Sequence, residues 1–174
     1  HYKMPMDIEW AKDGLTNQLF IVQARPETIH KKQNVLTLKE YDLKTDIEPI
    51  VVGKAVGRSI ISGKVKIVES LADGNKVKQG DIIVADITNP DWNALLKRAV
   101  SIVTNKGGRT SHASIVAREL GIPAIVGTMH ATQKLKDGQL ITISCASGDE
   151  GLVYDGKLDW NVKEVFLERL KDTK

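Results

Sequence analysis

An α/β domain with a largely buried sheet is predicted by three features of this sequence. Short apolar runs recur densely from Ile50 onward, a few stretches at helical spacing alternate with them, and glycine-containing breaks separate the two. Taken in order, Asp7-Ile8-Glu9-Trp10, a turn at Lys12-Asp13-Gly14 and the run Leu19–Val22 read as a strand hairpin whose second strand stops before Pro26. Residues 30–50 are polar, with scattered apolar positions, and read as a linker or a loosely packed helix. Ile60–Val68 reads as a strand or hairpin arm, and Ile82–Ala85 as a short buried strand. Leu95, Leu96 and Ala99 predict a helix over 93–99, started by Pro90-Asp91. Val100–Thr104 is the next strand and is broken by Asn105-Lys106-Gly107-Gly108. A second helix spans roughly Ser111–Leu120 and stops at Gly121, where a residue without Cβ takes the left-handed conformation freely. Ala124–Val126, Leu140–Ser144 and Gly151–Tyr154 complete the short β segments, and Val162, Val165, Phe166 and Leu170 predict a last helix over 161–171.

Composition narrows the functional classes. Hydrophobic residues at 41% and charged residues at 27% are ordinary for a soluble globular chain. A net charge of +3, with basic and acidic residues interspersed, gives no footprint for nucleic acid. No apolar stretch approaches the roughly 20 residues that span a bilayer, and no basic-then-apolar leader opens the chain. The single cysteine, Cys145, rules out an intramolecular disulfide and fits a reducing cytoplasm. The chain starts at His1 and moves straight into a turn-rich segment, which reads as a piece of a longer protein.

The chemistry concentrates in the segment from Gly107 to Ala124. A strand ends, two glycines allow a tight turn, and Thr110 or Ser111 stands where a hydroxyl caps the next helix. His112 then falls in the first helical turn, where N–H groups lack intrahelical partners and the helix presents about half a positive charge. That end favours an uncharged ring with a lone pair. It also offers donors to a phosphoryl group once attached, aided by the glycine loop and Arg109. The bland alternative is a solvated or hydrogen-bonding histidine, the commoner fate of a lone His near a helix start. His30 and His130 have no ligand-spaced partners, so metal binding by them is not expected. Cys145 reads as a packed strand residue, Trp92 as a buried anchor, and Gly148-Asp149-Glu150-Gly151 as a turn.

Over its whole length this segment resembles the phosphohistidine signature of the phosphoenolpyruvate-utilising enzymes. The matching residues are Thr88-Asn89-Pro90-Asp91-Trp92, Lys97-Arg98-Ala99, Ile102-Val103-Thr104-Asn105, Gly107-Gly108-Arg109-Thr110, Ala117 to Pro123, and Gly148-Asp149-Glu150-Gly151. The likeness runs from about Val52 to Gly156. One departure is Ser111, where one branch of the family often has cysteine.

The resemblance implies a swivelling β/β/α sandwich over residues 51–156, preceded by a remnant of an ATP-grasp domain at 1–29 and a linker at 30–50. Residues 157–174 would then be a helix or linker leading toward a barrel domain. His112 would be the phosphohistidine, supported by Gly107, Gly108, Arg109, Thr110 and Ser111. Thr110 matches a threonine that a regulatory enzyme phosphorylates in some members, although a plain cap is as good a reading; Arg118 reads as a surface ion pair as readily as a phosphate ligand. Glu9 and Gln23 would face Mg²⁺–ATP and Arg25 its phosphates, with no cofactor expected on this chain alone. The nearest branch makes phosphoenolpyruvate from pyruvate, ATP and water, through ATP-grasp and pyruvate-barrel partner domains of the same chain. Dikinases that use inorganic phosphate and antibiotic phosphotransferases are the alternatives, and a non-catalytic binding module is the remote one. A cytoplasmic location, with no nucleic acid or membrane partner, is expected.

Overall fold

The computed structural model describes residues 6–26 and 37–166. The chain divides into two compact units, His1–Leu36 and Thr37–Lys174. In the first, β1 (Met6–Lys12) pairs antiparallel with β2 (Leu19–Pro26), and the register shifts between Glu9 and Trp10. Asp13 sets the turn: its Oδ1 accepts from the Leu15 and Thr16 amides and from the Thr16 hydroxyl at 2.6–2.9 Å. A short side chain that satisfies its own loop in this way replaces the backbone bonds that a tighter turn would supply.

In the second unit, seven strands close into a barrel. They are β4 (Val51–Val56), β5 (Ile60–Ile67), β6 (Ile82–Ala85), β7 (Ser101–Thr104), β8 (Ala124–Val126), β9 (Leu140–Ser144) and β10 (Glu150–Asp155), in the order β10-β4-β8-β7-β6-β5-β9. β5, β6, β7 and β8 run parallel; the remaining pairs are antiparallel. The helices are α1 (Asn93–Leu96), α2 (His112–Leu120) and α3 (Ala131–Lys134).

The central strands are buried on both faces, which is why they read as unbroken apolar runs rather than alternations. Ile82, Val84, Val103, Ile125, Ile141 and Ile143 belong to one cluster, together with Val65 and Val153. The alternate positions Ile83, Ala85, Ile102, Ala124 and Val126 pack in a second cluster with Trp92, Leu95 and Leu96 and with Ala113, Val116 and Ala117 of α2. Side chains of period two on β6 thus feed two cores at once. Gly53 and Gly151 have a special reason to lack a side chain, since a Cβ on either would lie 2.7 Å from Ile125.

The mixed α/β class holds, in strands that close into a barrel with α1 and α2 against its outside, and two other expectations are corrected. Closure follows because β10 pairs with both β9 and β4. Within the expected linker at 30–50, Thr37–Asp42 is a strand, β3; residues 30–36 lie outside the described residues. The expected C-terminal helix is also a strand where it is described: β11 (Asn161–Phe166) pairs antiparallel with β3. The register explains the preference for sheet, because Lys39 faces Glu164 and Glu40 faces Lys163, while Leu38 meets Val165. Lys39 and Glu164 form an ion pair at 3.5 Å. Cross-strand charge and apolar matching outweighs a helical spacing that rests on three described residues. Residues 167–171 of that helix lie outside the described residues. No helix among the described residues is long and apolar enough to cross a membrane.

Candidate functional site

Two loops leave neighbouring parallel strands on the same side of the barrel, one after β6 and one after β7, and the site lies between them. The β7 loop is pinned at its root. Asn105 is buried and donates to Thr132 Oγ1 at 2.7 Å and Asp86 Oδ1 at 3.2 Å, while its own Oδ1 accepts from the Thr132 amide. Lys106 pairs with Asp86 at 2.7 Å; with the Asn105 amide, it holds that carboxyl below the usual range.

Gly107 then takes φ +103°, and a Cβ there would sit 2.9 Å from the Ser111 side chain. Only glycine meets both demands without strain. The Gly108 carbonyl accepts from the Ser111 amide at 2.9 Å and the Ser114 hydroxyl at 2.7 Å, and the Arg109 carbonyl from the Arg118 guanidinium at 2.7 Å. These bonds define the shape of the loop.

Ser111 occupies the N-cap of α2, but its hydroxyl turns to Ser114 Oγ at 3.2 Å and makes no capping bond. A side-chain cap was expected here. Its absence leaves the first-turn amides without a side-chain acceptor among the described residues, at the end of the helix that favours negative charge. Gly121 closes α2 in the left-handed conformation, φ +67°.

His112 is the first residue of α2 and is half-buried. Its Nδ1 lies 3.0 Å from the hydroxyl of Thr88, a buried residue in the β6 loop. Its Nε2 lies 3.1 Å from Oδ1 of Asn93, an exposed residue at the start of α1. Buried Trp92 anchors the approach to α1, so both partners of the ring stand on packed supports. Neither partner is charged. The ring is oriented but carries no ion pair among the described residues.

The remaining expected residues are placed as follows. Thr110 is exposed, two positions before His112. Arg109 donates to the Asp149 carboxylate and to the Asp149 carbonyl rather than lining the imidazole, because that turn offers it the charged acceptor. An exposed pair of this kind is worth at most about 1 kcal/mol, so the guanidinium is easily released. Arg118 supports the loop through the Arg109 carbonyl. Glu9 and Gln23 are directly opposite each other on β1 and β2, so they share one ribbon face, and both are exposed. Arg25 pairs through its backbone with Asp7, while its side chain lies outside the described residues. His30 also lies outside them. No group of three or more His, Cys, Asp or Glu suited to a metal occurs among the described residues.

Two site residues escaped the sequence reading. Thr88 lies within the matched motif with nothing local to mark its role, and Asn93 carries no local signal at all. They lie 24 and 19 residues before His112. Only the parallel pairing of β6 with β7 brings those segments together, and that pairing has no local signature.

Residues 77–148 match the family described as PEP-utilising enzyme, mobile domain, and residues 1–45 match the pyruvate phosphate dikinase AMP/ATP-binding domain. Among curated proteins, the chain is 53% identical to a phosphoenolpyruvate synthase of Aquifex aeolicus, with 98% of this chain and 20% of that protein covered. It is 49% identical to one from Escherichia coli, covering 99% and 22%, and 46% identical to one from Pyrococcus furiosus, covering 94% and 20%. The chain therefore spans about a fifth of the length of these relatives. With the glycine loop, His112 and α2 all inside the matched segment, the chain belongs to the PEP-utilising enzymes and carries their mobile domain.

Proposed function

We propose that this chain is the phosphoryl-carrier segment of a phosphoenolpyruvate synthase, with His112 as the phosphorylated residue. One observation carries the reading: a half-buried imidazole, oriented by two neutral side chains, stands at the start of a helix whose first turn has no side-chain cap. An uncharged nitrogen attacks phosphorus, and free amides with positive helix polarity accommodate the charge that arrives. In the proposed cycle, attack on the β-phosphorus of ATP releases AMP. Water removes the outer phosphate, and pyruvate, as its enolate, takes the remaining phosphoryl group to give phosphoenolpyruvate. Gly107 and Gly108 let the backbone approach the phosphate, Ser111 and Thr110 flank it, and Arg109 reaches it on leaving Asp149.

ATP and pyruvate would be held by ATP-grasp and barrel domains of the same protein. Glu9 and Gln23 offer a carboxylate and an amide oxygen from one ribbon face, a donor set that suits Mg²⁺ as part of a larger site; Arg25 is assigned to the phosphates. Bound Mg²⁺ would supply charge neutralisation of the triphosphate. The carrier domain, 51–156, would swivel between the two sites, with the β3–β11 ribbon and the segments joining it to the barrel as its hinge. Thr110 is the proposed regulatory position, since a phosphate there would repel one arriving at His112. A cytoplasmic location is proposed with it.

The intact protein supplied with ATP labelled at the β-phosphate is expected to form an acid-labile, base-stable phosphoprotein, and His112→Ala to form none. Label retained by His112→Ala would overturn the assignment.

A further inference from the structure

The two hydrogen bonds on the His112 ring constrain each other. A neutral imidazole has one N–H donor and one lone-pair acceptor. The Asn93 carbonyl oxygen beside Nε2 can only accept, so a neutral ring in this arrangement carries its proton on Nε2 and leaves Nδ1 to accept from the Thr88 hydroxyl. In that state neither nitrogen is a free nucleophile. Nδ1 faces Thr88, which is only 5% exposed, so a phosphoryl group on that nitrogen would have to displace a buried side chain. Nε2 faces the exposed Asn93. A phosphoryl group must therefore arrive on the Nε2 side, where Asn93 stands in its way and its oxygen holds the proton in place.

We infer that Asn93 is a positioning residue that sets the tautomer of His112 and uncovers Nε2 by turning its carboxamide. The inference rests on the carrier reading above and deepens it. When the amide rotates about Cβ–Cγ, its NH₂ replaces its oxygen beside the ring, and the favoured tautomer becomes Nδ1–H donating to Thr88 Oγ1. The Nε2 lone pair then forms the N–P bond. The bond from phosphorus to the bridging oxygen of the nucleoside triphosphate breaks, and its electron pair leaves on that oxygen. The proton on Nδ1 stays on the ring, bonded to Thr88, so the phosphorylated ring is an imidazolium. The NH₂ of Asn93 is then beside the phosphoryl oxygens, which only accept. An amide suits both states because it presents an acceptor or a donor at one place; a carboxylate presents only acceptors.

The test uses the 174-residue chain with isotope-labelled histidine, read by NMR, and phosphoramidate as a small phosphoryl donor that needs no partner domain. Wild type is expected to show the Nε2–H tautomer at His112. Asn93→Ala should shift the population toward Nδ1–H and speed labelling of His112 roughly five-fold, the weight of one neutral hydrogen bond. It should also shorten the lifetime of the phosphohistidine. Asn93→Asp should keep Nε2–H and label more slowly than wild type. Unchanged amide spectra away from the site confirm that the variants fold. Wild-type tautomer and wild-type labelling rate in both variants would overturn the role of Asn93. If His112 of the intact protein takes no label from ATP labelled at the β-phosphate, the carrier reading fails instead, and the tautomer comparison still decides what Asn93 does.

Discussion

The β1–β2 ribbon and the barrel contain similar strand residues and treat them in opposite ways. Ile21 and Trp10 on the ribbon are 70% and 65% exposed, whereas Ile82, Ile141 and Ile143 in the barrel are fully buried. The residues differ little in kind. What differs is the number of layers available to cover them, since two strands alone cannot enclose a side chain and a closed seven-strand sheet with helices outside can. The barrel therefore carries its own stability, and the ribbon contributes a surface. Exposed apolar side chains clustered on a ribbon mark a face suited to meeting another surface.

The largest effect should separate the two regions directly. Ile141→Ala empties space inside the barrel and is expected to lower unfolding free energy by about 2–5 kcal/mol, while Ile21→Ala should change it by no more than about 0.5 kcal/mol. Urea denaturation followed through tryptophan fluorescence measures both, and equal losses would erase the distinction. A smaller effect is expected in the loop that joins barrel to site. Gly107→Ala places a Cβ at positive φ against Ser111 and should cost about 1–3 kcal/mol. It should also slow phosphorylation of His112, because the strain falls on the turn that presents it. Loss of stability with unchanged labelling would show that the loop shape does not matter to the chemistry.

The smallest effect concerns a barrel surface pair. Lys66 bonds Asp137 at 2.6 Å, with the Ile67 amide adding a second bond, and together they hold the carboxyl below its ordinary value. A carboxyl lowered by folding stabilises the native state above its unfolded pKa of about 3.9, and the contribution fades as pH falls through the lower folded value. Asp137→Asn should therefore cost less than about 1 kcal/mol at pH 7, the pair being partly exposed, and the difference from wild type should shrink in acid. A difference independent of pH down to strongly acid conditions would assign the effect to packing.

How much of this was legible beforehand follows the same division between local and distant causes. The strands Ile82–Ala85 and Ala124–Val126, the helix from His112 to Leu120 and its stop at Gly121 could be read because each is set by residues within a few positions. The strand Asn161–Phe166 could not, since its partner Thr37–Asp42 lies far away and a helical spacing competed with it. Closure of the barrel was hidden for the same reason: β10 reaches β4 across most of the domain. In the site, the glycine turn and His112 were visible as a local pattern. The partners of its ring were not, because Thr88 and Asn93 meet it only through the pairing of two parallel strands. The Arg109–Asp149 bond, spanning 40 residues, is of the same kind.

Closing the ring also governs where foreign backbone can attach. With β9 and β10 joined, no barrel strand presents a row of unclaimed N–H and C=O groups, so the cylinder gives an invading chain no rim to extend. The two ribbons, β1–β2 and β3–β11, each keep an outer border. Among the described strands, these are the borders where strand exchange or fibre-like growth could start, at a distance along the chain from the histidine.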